Sequence, residues 1–163
     1  MVVKKTLAGI VALALSGCAA TPSAPPEPPL TVKLRGTAVE VQQYLEEQIT
    51  TRSNGVASVD SATDRSITFK SNCMDMPNMG AFKCSLIMMA VGNSGWDGPF
   101  SMLTFRTAEI RGIVHLSVSS QWCATNAFGK TNCMAGDSNA AMNGLLRKVD
   151  QTYQRDVRPT ASN

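Results

Sequence analysis

The sequence predicts an α+β fold: an antiparallel sheet of about five to six strands, an N-terminal and a C-terminal helix packed on one face, and two disulfide-closed loops. Three observations predict it. A capped helical repeat sits near the start, short alternating segments fill the middle, and a second helical repeat closes the chain. Strands in a run with helices at the ends place those helices together on one face of an antiparallel sheet.

"TVKLRG" (31–36) alternates Val32 and Leu34 against Lys33 and Arg35, the period of a half-buried strand. Thr37 with Glu40 three residues on is a capping box, in which side chains satisfy the first backbone donors of a helix. Ala38, Val41, Leu45 and Ile49 then recur at helical spacing beside Tyr44. Asn54-Gly55 supplies the left-handed residues that end a helix. "VASVD" and "SITFKS" read as two short strands around the turn "SATDR". "CSLIMMAV" (84–91) is a continuous apolar run, expected as a central strand broken by the turn signals of "GNSGWDGP". "FSMLTFRT" and "IVHLSVSSQWC" form another pair around "AEIRG". In the second, Val114, Leu116, Val118 and Trp122 take the core face, and His115, Ser117, Ser119 and Gln121 the other. In "SNAAMNGLLRKVDQTY", Ala141, Leu145, Leu146 and Val149 mark a second helix, with Asp137 or Ser138 as its N-cap.

The first twenty residues, "MVVKKTLAGIVALALSGCAA", run from Lys4 and Lys5 through an apolar stretch to the small residues Ser16 and Gly17. That is the build of a secretory signal peptide, too short to serve as a membrane-spanning helix. Leu15-Ser16-Gly17-Cys18 resembles the lipobox of bacterial lipoproteins. The resemblance implies cleavage before Cys18 and acylation of that cysteine, palmitate being one such chain. With Ala19 rather than an aspartate following, it implies anchorage in the outer membrane on the periplasmic side.

The organisation expected is therefore a signal peptide at 1–17, a lipidated cysteine and tether at 18–30, one domain at 31–155 and a flexible tail at 156–163. "TPSAPPEPPL" (21–30) holds five prolines in ten residues. Such a segment is extended and semi-rigid, about 3.1 Å per residue, giving a spacer of roughly 30 Å. Lys4 and Lys5 leave with the signal peptide and carry most of the net charge of +3. A near-neutral mature chain offers no electrostatic footprint for nucleic acid.

Four cysteines remain: Cys73, Cys84, Cys123 and Cys133. In an oxidising compartment they read as two disulfides, with three possible pairings. Cys73–Cys84 and Cys123–Cys133 are favoured, because each pair flanks a turn-rich segment able to return on itself; cross-pairing stays open. Each bridge would stabilise by about 3 kcal/mol in the chain-entropy model. The spacings fit no common zinc pattern.

The order of elements in "VKLRGTAVEVQQYLEEQ…GVASVDSATDRSITFK" resembles the small helix-grip domains of periplasmic lipoproteins, such as those in outer-membrane β-barrel assembly. The resemblance covers about 40 residues, implies the fold, and brings no diagnostic side chain with it.

No set of residues assembles into a recognisable enzyme, and the expectation is a protein without catalytic residues. His115 is the one histidine; Ser117 and Ser119 share its strand face, as inert serines do on many exposed sheets. No phosphate loop, dinucleotide fingerprint or standout carboxylate pair is present. Met74, Met76 and Met79 form M-x-M-x-x-M, a spacing similar to methionine motifs of periplasmic copper-handling proteins. Thioethers are soft ligands for Cu(I) or Ag(I) that survive oxidising conditions. The same methionines also suit an adaptable contact surface, or packing under a hairpin tip closed by Cys73 and Cys84. Trp96, in "NSGWDGPF" (93–100), either anchors an interface or folds over the core edge, with Asp97 beside it as a turn residue. Phe128 is the one large apolar residue in "ATNAFGKTN".

The candidate interaction surface is thus Trp96, Asp97, Met74, Met76, Met79 and Phe128. The function expected is a non-enzymatic, outer-membrane-anchored periplasmic lipoprotein acting as a binding or scaffold module for an envelope protein, with no cofactor beyond the lipid on Cys18. Two alternatives stand beside it: a protective inhibitor of an envelope-attacking enzyme such as a lysozyme, and soft-metal binding through Met74, Met76 and Met79.

Overall fold

The computed structural model describes residues 25–92 and 97–157. Residues 1–17, expected as a signal peptide, Cys18 and Trp96 lie outside the described residues. The order is β1 (Val32–Arg35), α1 (Ala38–Arg52), β2 (Ala57–Thr63), β3 (Ser66–Asn72), a 3-10 turn (Cys73–Asp75), α2 (Ala81–Val91), β4 (Asp97–Ile110), β5 (Ile113–Thr125), β6 (Thr131–Ala135) and α3 (Asn139–Val157). The α+β class, the antiparallel sheet and both favoured disulfides are present.

The six-stranded sheet runs β1-β5-β4-β3-β2, every pair antiparallel. β1 pairs with one end of β5 and β6 with the other, so the two short strands share one edge of β5. The long β4–β5 hairpin turns at Arg111 and Gly112, both at positive φ (54° and 71°). That is the type I′ geometry whose twist matches the strands it joins.

Register sorts the side chains. Ile67, Phe69, Phe105, Val114 and Leu116 face α1 and α3 with Val32 and Leu34 from β1; all are buried. Phe69 and Phe105 meet edge to face, 6.1 Å between centroids. Val41 and Leu45 of α1 and Leu146 and Tyr153 of α3 close this core from above. Burying one such side chain is worth about 1.5–3 kcal/mol. The capping box forms as the sequence predicts: Thr37 Oγ1 accepts from the Glu40 amide and Glu40 Oε2 from the Thr37 amide. Glu109 of β4 adds a carboxylate at the same helix end, accepting from the Ala38 amide at 2.9 Å. Negative charge is favourable there because the helix dipole is positive at its N-terminus.

Four expectations are corrected. "CSLIMMAV" is not a central strand but most of α2, begun after Gly80 and ended by Gly92 at φ 72°. Leu, Met, Ala and Lys are strong helix formers, and the run lacks the alternation a strand exposed on one face would show. Cys73–Cys84 therefore closes no hairpin: it bolts the 3-10 turn to the first turn of α2. The stripe of α3 is also rotated. Met142, Asn143, Leu146 and Tyr153 are its buried residues, while Ala141 is exposed and Leu145 and Val149 are half-buried. Finally, Trp122 is half-buried rather than a core residue, and a strand, β6, runs through the end of the second stapled segment.

Part of the proline-rich segment lies against the domain. Asn143 Oδ1 accepts from the Leu30 amide at 2.7 Å, and Asn143 Nδ2 donates to Pro28 O at 2.8 Å. Asn139 Nδ2 donates to Glu27 O, and Arg147 pairs with the Glu27 carboxylate at 2.9 Å. Residues 27–30 form a strap along α3.

Candidate functional site

The outward side of α2 is the most unusual surface of the described domain. Its sequence, AFKCSLIMMAV, has only Lys83 and Ser85 as polar residues. At 100° per residue, Cys84 and Val91 lie on the inner side, and both are buried. Phe82, Leu86 and Met89 lie diametrically opposite, at i, i+4 and i+7. They are 77 %, 46 % and 68 % exposed. A helix apolar all round is ordinarily buried; this one turns an apolar stripe to solvent.

The helix is held firmly while doing so. Cys84 is bonded to Cys73, and both sulfurs are buried at its inner side. α2 contacts β4, β5 and β6 at one end of the sheet. There Phe100 and Cys123, opposite one another in the ladder, are buried on the face away from Phe105 and Val118. Lys70 covers the Phe100 ring at 4.1 Å. Ser85 Oγ donates back to Ala81 O, and Lys83 Nζ to Asn78 O at 2.9 Å, which ties the helix to the preceding turn.

The residues singled out by sequence are placed separately. Met74 is 62 % exposed and lines a cavity of about 350 Å³ with Met88, Met89, Cys84 and Pro99, beside the α2 stripe. Met76 lines a different hollow with Pro77, Asp75 and Arg52, and Met79 is half-buried and lines neither. Met74 thus shares its cavity with Met88 and Met89 of α2, and Met76 and Met79 do not line it. Phe128 stands 95 % exposed on the β5–β6 turn. Asn126 Oδ1 fixes that turn by accepting from the Phe128 and Lys130 amides. Cys123 and Cys133 face each other directly in the β5–β6 ladder below it. Asp97 opens β4 opposite Thr125. His115 lies on the polar sheet face between Lys33 and Ala108; among the described residues no side chain hydrogen-bonds its ring.

Sequence reasoning missed Phe82, Leu86 and Met89. The signal was there: their i, i+4, i+7 spacing is helical, and it is out of phase with Cys84.

Searches against protein-family models, curated proteins and solved structures return no match.

Proposed function

We propose that this chain is a non-enzymatic lipoprotein, anchored through Cys18 in the outer membrane on its periplasmic side, whose domain docks another envelope protein through α2. The observation that carries the docking is the outward stripe of Phe82, Leu86 and Met89 on a disulfide-pinned helix. Anchors at i, i+4 and i+7 are how a helix is read by an apolar groove. Pinning the helix beforehand removes ordering entropy from the cost of binding. Met74 beside the stripe supplies an adaptable margin. The anchor rests on the leader and on Leu15-Ser16-Gly17-Cys18.

The test is a photo-crosslinking residue at Leu86 in intact cells, followed by purification of the adduct. A discrete partner band is expected, and Leu86→Lys with Met89→Lys should remove a band captured from a neighbouring position such as Lys83. Each apolar anchor lost should weaken the complex by about 1–3 kcal/mol. A protein that gives no adduct from any position on the stripe would count against docking. A lysozyme inhibition assay on the same variants separates this reading from a protective inhibitor.

A further inference from the structure

The two helices over the core run antiparallel and leave a gap between them. At one end Tyr44 of α1 and Tyr153 of α3 meet edge to face, centroids 5.0 Å apart, and Tyr44 donates to Asp156 Oδ2 at 3.1 Å. From this aromatic closure a cleft of about 320 Å³ runs between the helices. Leu103 of β4, Ile49, Leu145 and Val149 line it. All four are only half-buried, so the core is left unfilled along this line. Arg52, two turns beyond Tyr44 on α1, and Lys148, more than a turn before Tyr153 on α3, also line the cleft, and the Arg52 charge reaches Tyr44 and Asp156 as well. Both are exposed, and no residue lining the cleft carries a carboxylate.

We propose that this cleft binds a single-chain anionic amphiphile, a long-chain carboxylate. The alkyl chain would lie on Leu103 between Ile49 on one side and Leu145 and Val149 on the other, with the head group between Arg52 and Lys148. The volume is at the lower end of the ~300–1,000 Å³ of ligand sites, which suits one chain and not two. A largely apolar lining with a few polar groups is the usual build of such sites, and here Arg52 and Lys148 are the lining residues that carry charge. A guanidinium matches a carboxylate geometrically, through two parallel hydrogen bonds. At the closed end the Tyr44 hydroxyl donates to the Asp156 carboxylate, whose negative charge disfavours an anionic head group there. The cleft shares no residue with α2, so it stands independently of the docking proposed above.

The experiment uses the full chain carrying Cys18→Ala, free of detergent and of its own lipid, with a fluorescent polyene fatty acid as probe. Saturable probe binding is expected, displaced by palmitate at least about tenfold more strongly than by hexadecanol, since one charge-assisted contact is worth that much. Arg52→Glu with Lys148→Glu, both on exposed residues, should bring palmitate down to the level of the alcohol. Val149→Trp should fill the cleft and abolish both, with thermal melting by circular dichroism as the check on folding. Absence of saturable binding would overturn the proposal, as would equal displacement by palmitate and hexadecanol. Undiminished palmitate binding after charge reversal would overturn it too, and so would displacement by a lysophospholipid but not by palmitate. Leu86→Lys with Met89→Lys should leave every one of these readings unchanged, so failure of docking at α2 is told apart from failure here.

Discussion

Asn143 shows how one polar side chain can join two parts of the chain. It is buried in the second turn of α3, and its amide meets the Leu30 N–H and the Pro28 carbonyl as a neighbouring strand would. Replacing it with leucine removes both bonds and leaves a strap donor and acceptor unpaired. The cost expected is about 1–3 kcal/mol, read by urea unfolding, with a larger local loss of protection at the Leu30 amide in hydrogen exchange. A neutral stability change with Leu30 still protected would show that the strap is held by other contacts. Nothing in "NAAMNGLLRK" marks Asn143 as buried: an asparagine inside a helix reads as a solvent residue, and its partners lie more than 110 positions away.

Glu27 adds a pH dependence to the same strap. Its carboxyl is held below the usual glutamate value, first by a hydrogen bond from Asn143 and then by Arg147. A folded value below the unfolded one contributes attachment that is present above the ordinary value of about 4.3 and is lost as pH falls through the lowered folded value. The protection factor at Leu30 is therefore expected to fall on acidification below about pH 4 while that of Phe105 in the core holds. Glu27→Gln should flatten the dependence; an unchanged profile would assign it to another group.

At the scale of elements, α2 depends on the disulfide beneath it. Cys84 and Val91 are the fully buried residues of an apolar helix whose other side faces water, with Ile87 and Met88 half-buried beside them. Cys73→Ser with Cys84→Ser should cost about 3 kcal/mol in the chain-entropy model. Amide protection should be lost across Ala81–Val91 before the sheet is affected, and crosslinking from position 86 should fall with it. Retained protection in α2 would mean that packing on β4 and β6 suffices. The elements that the sequence made legible are those whose pattern serves the fold alone. The capping box at Thr37 starts α1 where the sequence predicts it, and Val114 and Leu116 of β5 alternate with His115 as predicted, whereas Cys123 and Ala124 at the end of β5 are buried in succession. α2 has two apolar sides, one for Cys84 and Val91 and one for solvent, and two opposed apolar sides erase the helical period. A site built by breaking a local rule is where local reasoning fails. The exposure of Phe128 was legible because a lone aromatic among turn residues has no other pattern to hide in.

At the scale of the whole molecule, topology gathers the distinctive features at one end. The start of β4, the end of β5, β6, the Phe128 turn and α2 are all there, while the β2–β3 and β4–β5 turns form the opposite end. The strap also leaves from the first end, because Glu27 is held by Asn139 and Arg147 in the first half of α3. With Glu27 docked, an anchored Cys18 would be separated from the domain by residues 19–26 alone, whose greatest reach at ~3.1 Å per residue is about 25 Å. So short a reach cannot let the domain turn over, and the α2 end is expected to face the bilayer. In vesicles carrying the lipidated protein and a headgroup quencher, a fluorophore at Phe128 should be quenched more than one at Asp64 on the β2–β3 turn. Asn143→Leu should narrow the difference by releasing the strap and lengthening the reach. Equal quenching at the two positions in the unaltered protein would mean that the strap does not orient the domain. Unequal quenching would place any protein docked on α2 close to the membrane surface, since a helix facing the bilayer across so short a gap is reached by a protein lying at that surface.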